Sequence, residues 1–88
     1  MTIIKRNGNI VDFDRDKIVK AINKAFVEVD GKLYETDTAN GIADEIALLN
    51  KEKLLGVEEI QDLVEDYLMR SERRDVARAY IRFRYKKE

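Results

Sequence analysis

The sequence predicts an α+β fold in which a β-hairpin is followed by four helices. Asn7-Gly8 lies between two short β-prone runs near the N-terminus. Four later stretches place apolar residues at the three- and four-residue spacing of a helix. The chain of 88 residues has the length of one small domain, so residues 1–88 are expected to form a single unit.

The first element is a hairpin formed by residues 3–6 and 9–13. Asn-Gly favours a two-residue turn in which both positions have positive φ, so Asn7 and Gly8 are both expected there. Because side chains alternate along a strand, Lys5 and Arg6 should project to opposite faces. Only one of these two cations should therefore meet the helix that follows.

The first helix is expected over about residues 14–28, with Asp14 as its N-cap. Phe13 and Ile18 have the spacing of a hydrophobic staple around that cap. The apolar positions are Ile18, Ile22, Ala25, Phe26 and Val29. The lysines on another face are Lys17, Lys20 and Lys24. Asp30-Gly31 should end the helix.

After a loop at residues 30–35, Thr36 or Asp37 is expected to cap a second helix that ends near Asn50. Its apolar positions are Ala39, Ile42, Ala43, Ile46 and Leu49. Residues 53–56 are too few for a helix, and they predict either a third short strand or an irregular connection.

A third helix should start near Val57, because acidic residues in a first turn are favoured by the helix dipole. Its pattern breaks at residues 70–72, and a fourth helix follows. The core predicted from the helical stripes includes Ile22, Phe26, Ile46, Val64 and Tyr80.

Composition excludes several classes of function. The chain has no Cys and no His, which removes disulfides, zinc ribbons and imidazole-based catalysis. No apolar run approaches the roughly 20 residues that cross a bilayer, and the first residues lack a secretory signal. The expectation is a cytoplasmic domain, away from membranes.

The net charge of −1 hides an uneven distribution. Residues 1–27 carry a net charge of +3, residues 28–69 of −9 and residues 70–88 of +5. If the two basic ends meet in space, they would suit a compact anion better than a nucleic-acid track, which the acidic middle would repel. Without such a meeting, these charges are a solvated surface.

The candidate chemistry is anion binding rather than catalysis. The adjacent carboxylate pairs point to different helix faces, and no spacing suits a metal, so no catalytic residue and no metal ligand is assigned. Neither standard glycine-rich phosphate loop occurs. There remain Lys5, Arg6 and Gly8 at the hairpin, with Lys17 in the first turn of a helix, where backbone N–H groups favour an anion.

Three segments resemble the ATP-cone family, and together the likeness extends over about residues 2–86. They are IIKRNGNIVDFDRDKI at residues 3–18, VEEIQDLVE at residues 57–65 and VARAYIRFR at residues 76–84. The resemblance implies a small three-stranded sheet capping a four-helix bundle. It also implies a regulatory module of ribonucleotide reductases that binds ATP or dATP without consuming it, with Mg²⁺ as a counter-ion.

The tail at residues 80–84 is similar to the version found in anaerobic, glycyl-radical reductases. The resemblance therefore implies the regulatory domain of an anaerobic ribonucleoside-triphosphate reductase. The domain itself would be non-catalytic. Its partners would be the nucleotide, the remainder of the reductase chain and the oligomer which that chain forms.

Carried over by position, the resemblance assigns eleven nucleotide-binding residues. Lys5 and Arg6 would contact the nucleotide beside Gly8, with Lys17 near the phosphates. The apolar surroundings of the base would be Ile3, Val11 and Ile18. The remaining positions are Val57, Gln61, Lys86 and Lys87. Val57 and Gln61 replace the Thr and His of some reductases, and Val11 replaces a Glu, so adenine recognition would depend on backbone groups.

Two alternatives belong to other classes. The first is a protein–protein interaction or oligomerisation domain, which an exposed Tyr85 or Ile81 would favour. The second is a small nucleic-acid-binding helical module. Its arginines would be Arg70, Arg73, Arg74, Arg78, Arg82 and Arg84. Their spacing does not follow one face, and no aromatic stacking platform lies among them.

Overall fold

The computed structural model describes residues 2–32 and 37–86. Its elements are β1 (Thr2–Ile4), β2 (Ile10–Asp12), α1 (Arg15–Asp30), α2 (Asp37–Glu52), β3 (Leu55–Gly56), α3 (Val57–Arg70) and α4 (Arg74–Lys86). The expected α+β fold is confirmed, and residues 53–56 contain the short-strand alternative. The expected cap Thr36 and the site residue Lys87 lie outside the described residues.

The strands form one mixed sheet in the order β2-β1-β3. β1 pairs antiparallel with β2, and Ile3 lies opposite Val11. β1 also pairs in parallel with β3, where Ile3 lies opposite Leu55. Directly paired residues point to the same face of a sheet, so Ile3 and Val11 share one face with Lys5, two residues along β1.

The expected turn type is wrong for Asn7, although the hairpin itself is confirmed. Among the described residues with side chains, only Glu72 has positive φ, whereas Gly8 has φ 90°. The Lys5 N–H donates to the Asn9 carbonyl at 2.8 Å, and the Gly8 N–H donates to the Lys5 carbonyl at 2.9 Å. The loop therefore has three residues, 6–8, and only its last position requires glycine.

Both ends of α1 are capped as the sequence predicts, and the helix ends two residues later than expected. The Asp14 carboxylate accepts from the Asp16 N–H at 3.1 Å. Gly31 is left-handed at φ 80°, and its N–H donates to the Val27 carbonyl. Left-handed glycine is the common helix C-cap because it has no Cβ to clash.

The buried side chain of Asn50 links the sheet to α2. That helix extends two residues beyond its expected end. Asn50 donates from Nδ2 to the Thr2 carbonyl at 3.0 Å, and its Oδ1 accepts from the Leu55 N–H at 3.3 Å. One amide thus joins β1 and β3 to the end of α2. At the next helix start, Glu59 Oε1 accepts from the Gly56 N–H at 2.8 Å and caps α3.

The core lies between the four helices, with α1 packed against both α2 and α4, and α3 packed against α4. The predicted set Ile22, Phe26, Ile46, Val64 and Tyr80 is confirmed as buried in one cluster. Burying these stripes supplies the main favourable term in folding. Because α1 packs on α4, the two basic ends of the chain do meet, with the sheet beside them.

Candidate functional site

A cavity of about 670 Å³ lies where the hairpin meets α1, α3 and α4. Seven of the eleven predicted site residues line it: Ile3, Lys5, Val11, Lys17, Ile18, Val57 and Gln61. The hairpin register carries Ile3, Lys5 and Val11 to this face, and the first turns of α1 and α3 bring the others. A shallower depression of about 400 Å³, beside Asn50, holds none of the predicted residues.

The four other predicted residues lie elsewhere. Arg6 is at the rim, where its Nη2 donates to Gln61 Oε1 at 3.3 Å and its Nε lies 3.3 Å from Glu58 Oε2. Gly8 is exposed in the hairpin loop and does not line the cavity. Lys86 is exposed at the end of α4, also away from the lining, and Lys87 lies outside the described residues.

Six lining residues were not predicted as site residues: Asp12, Phe13, Asp14, Ala21, Ile60 and Tyr80. Phe13, Ile60 and Tyr80 add apolar surface to the lining of the cavity. Ile60 and Tyr80 belong to helical core stripes, and periodicity does not show where such a stripe borders an open space. The signal that could have identified Phe13 is its position, because it is an aromatic residue directly after the second strand of the hairpin.

Charge in the cavity is mixed. Lys5 and Lys17 supply two exposed cations, and Lys17 is the third residue of α1, where the positive end of the helix dipole adds to the local potential. Asp12 and Asp14 supply two carboxylates. Asp14 already accepts from the Asp16 N–H, which commits one of its oxygens to the helix cap.

Tyr80 is 7% exposed and lies at the α4 side of the cavity. Burial raises the pKa of its phenol to about 12; Arg84 opposes the rise, and the Glu65 and Asp62 carboxylates add to it. The phenol is therefore neutral at physiological pH. Its hydroxyl is a hydrogen-bonding group on an otherwise apolar wall.

Arg84 joins α4 to α3 below this wall. Its side chain is 7% exposed, and Nη1 donates to Asp62 Oδ1 at 2.8 Å and to Glu65 Oε2. Arg73 likewise donates to Asp30 at 2.8 Å and to Asp75. Two arginines of the nucleic-acid hypothesis are thus each paired with two carboxylates, which offset their charge.

Within residues 2–32 and 37–86, no three metal-ligating side chains converge. No helix in those ranges has the length and apolar character to span a bilayer. Tyr85 is 71% exposed, which is the feature that the interaction-domain hypothesis requires.

Comparison with known proteins decides the family. Residues 1–88 match the ATP cone domain throughout. The chain belongs to the ATP-cone family. ATP-cone domains bind nucleotide effectors.

The relatives of this ATP cone are ribonucleotide reductases of several kinds. It is 41% identical over 91 residues to the vitamin B12-dependent ribonucleoside-diphosphate reductase of Thermoplasma acidophilum, covering 97% of this chain and 12% of that protein. It is 36% identical over 97 residues to the ribonucleoside-diphosphate reductase subunit alpha of Chlamydia pneumoniae, covering 94% and 9%. It is 33% identical over 88 residues to the anaerobic ribonucleoside-triphosphate reductase of Haemophilus influenzae, covering 98% and 12%.

The ATP cone thus spans about a tenth of the length of these curated relatives.

Proposed function

We propose that this ATP cone binds ATP or dATP in the cavity between the hairpin, α1 and α3, without hydrolysing it, and that occupancy regulates a ribonucleotide reductase. The observation that supports the proposal most strongly is the position of Lys5 and Lys17. Both cations line one cavity although they come from different elements. The cavity is also large enough for a ligand of nucleotide size.

The lining divides into two parts that suit the two ends of a nucleotide. Lys5 and Lys17, with the first turn of α1, favour phosphate groups. Ile3, Val11 and Ile18, with Phe13, offer the apolar surroundings that a base requires. Gln61 and Tyr80 supply hydrogen-bonding groups at the α3 and α4 sides, and Gln61 carries both a donor and an acceptor.

Binding without hydrolysis follows from the kinds of residue present. The sequence has no His or Cys to act as base or nucleophile. Of the two lining carboxylates, Asp14 is committed to capping α1. Mg²⁺ would accompany the triphosphate as its counter-ion, since the described residues form no metal cage of their own.

The regulated enzyme is proposed from the relatives and from the tail of α4. All three relatives named above are reductases, and the partner of this domain would be the rest of such a chain and its oligomer. The anaerobic ribonucleoside-triphosphate class is proposed on the resemblance of residues 80–84. Such an enzyme would supply precursors for DNA replication in the cytoplasm.

Calorimetric titration with ATP, dATP and adenosine tests the binding proposal, and a phosphate-release assay tests the absence of hydrolysis. We expect heat on addition of either triphosphate, weaker binding of adenosine, and phosphate release equal to a no-protein control. Absence of binding at millimolar ATP would contradict the proposed ligand. Sustained phosphate release would contradict the non-catalytic role.

An association module is the second candidate, and the exposure of Tyr85 favours it. Sedimentation of the wild type and of Tyr85→Ser, with and without ATP, separates the two functions. Self-association lost in Tyr85→Ser, with no response to ATP, would favour association over nucleotide binding.

A further inference from the structure

Arg6, a cation at the rim of the cavity, forms an ion pair with Glu58 of the same chain. Arg6 Nε lies 3.3 Å from Glu58 Oε2, and Arg6 Nη2 donates to Gln61 Oε1 at 3.3 Å. The Arg6 and Glu58 side chains are 58% and 65% exposed. An ion pair open to water in this way is weak, so a stronger anion nearby can replace it.

The Arg6–Glu58 pair lies at the edge of the cavity in which we propose that the ligand binds. Arg6 follows Lys5, which lines the cavity, and Gln61 lines it from α3. Glu58 and Gln61 are three residues apart on α3, so they share a face of that helix. Arg6 therefore bridges the hairpin and α3 along the edge of the cavity.

We infer that Glu58 competes with the ligand's phosphates for Arg6, and so sets how strongly the site distinguishes a triphosphate from an uncharged nucleoside. The inference rests on the proposed function. Phosphate presents several charged oxygens to the planar guanidinium, whereas Glu58 is held at one edge of it. Ligands that carry phosphate must displace Glu58, and adenosine has no reason to do so.

If the Arg6–Glu58 pair had only a structural role, loss of Glu58 would change ATP affinity in the opposite direction. If Glu58 served to fix the hairpin against α3, its loss would loosen the rim and weaken every ligand. If Glu58 competes, its loss frees Arg6 and tightens binding of triphosphates alone. The strength of exposed ion pairs corresponds to a gain of about two- to fivefold.

The test is calorimetric titration of ATP and adenosine into the wild type, Glu58→Gln, Arg6→Gln and the double variant. We expect Glu58→Gln to tighten ATP about two- to fivefold and to leave adenosine unchanged. With Arg6→Gln already present, Glu58→Gln should change ATP binding little, because the competed group is gone. Glu45→Gln is the matched control, since Glu45 is an exposed acid on α2 outside the cavity lining.

The inference would be overturned by weaker ATP binding in Glu58→Gln, by an equal gain in Glu45→Gln, or by an undiminished gain in the Arg6→Gln background. The last two would show a general charge effect. Failure of the wild type to bind ATP would overturn the proposed function as well. ATP binding with no gain in Glu58→Gln would overturn the role of Glu58 alone.

Discussion

Lys17 is the residue on which the proposed binding of phosphate depends most directly. It lines the cavity from the first turn of α1. Lys17→Ala should weaken ATP roughly 10- to 150-fold, because a charge-assisted hydrogen bond contributes about 1.5–3 kcal/mol. Adenosine affinity should change little. The fold should survive, since alanine is a good helix former and Lys17 is exposed.

Lys20→Ala is the matched control in a calorimetric comparison, because Lys20 is an exposed lysine of the same helix outside the lining. Equal losses of ATP and adenosine in Lys17→Ala would show that Lys17 shapes the pocket without contacting phosphate. An unchanged ATP affinity would remove Lys17 from the site.

Ionisation of the Tyr80 phenol should lower the free energy of unfolding of the domain at alkaline pH. Burial raises the pKa of the folded phenol to about 12, whereas an unfolded tyrosine titrates near 10. The corresponding stabilisation is complete below pH 10 and is lost as pH rises towards 12. Two pKa units correspond to about 3 kcal/mol.

Urea unfolding of the wild type and Tyr80→Phe at intervals from pH 8 to 12 measures this effect. The difference between the two proteins should change across that window, since Phe cannot ionise and all other titrating groups are shared. Parallel pH profiles would show that the phenol is not desolvated in the folded state.

At the scale of residues, the sequence identified seven of the residues that line the cavity, but not the contacts that Arg6 makes at its rim. Lys5 and Lys17 could be assigned because cations beside a hairpin turn and in the first turn of a helix stand out against apolar stripes, whereas Gln61 was assigned only from the resemblance to the ATP-cone family. The contacts of Arg6 could not be, because Glu58 and Gln61 lie more than fifty residues away in the chain. Only the packing of the hairpin beside α3 makes them neighbours.

At the scale of elements, one extra loop residue determines which hairpin side chains face the cavity. A two-residue Asn7-Gly8 turn would pair Ile3 with Asp12, whereas the observed three-residue loop pairs Ile3 with Val11. A shift of one residue reverses the faces of a strand. Dipeptide preference predicts that a turn is present, but the length of the loop depends on what the strands bury.

Gly8 and Gly41, which both have open space where a Cβ would lie, should respond to alanine in opposite ways. A Cβ on either meets nothing within 4 Å, so backbone conformation decides the outcome. Gly8 has φ 90°, and Gly8→Ala should cost about 1–2 kcal/mol because L residues disfavour that region. Gly41 lies within α2, and Gly41→Ala should stabilise by about 1 kcal/mol.

Chemical denaturation of the two variants in parallel checks this pair. Destabilisation by both substitutions would mean that α2 does not continue through Gly41. No effect at Gly8 would mean that the loop has a different conformation from the one described.

The third strand shows what sequence could not resolve at this scale. Leu55–Gly56 is only two residues long, and no propensity signal distinguishes such a strand from a connection. Its formation depends on pairing with β1 and on the Asn50 amide, which bonds to both strands. The pairing with β1 and the Asn50–Thr2 bond join residues that are far apart in the sequence, so no local pattern predicts them.

For the whole molecule, one small core supports both the bundle and the walls of the site. Phe26 is 4% exposed within that core. Phe26→Ala should cost roughly 3–5 kcal/mol, comparable with the whole stability of a domain this size. A denaturation midpoint equal to that of the wild type would show that the packing of α1 on α4 is misassigned.

The proposed nucleotide site lies between the hairpin, α1 and α3 of this ATP cone. Backbone amide NMR shifts, recorded while ATP is titrated into the isotopically labelled domain, locate the bound ligand. We expect saturable shifts at Lys5, Lys17 and Gln61, with the exposed face of α2 around Glu45 unchanged. Saturable shifts confined to α2, or none at millimolar ATP, would contradict it.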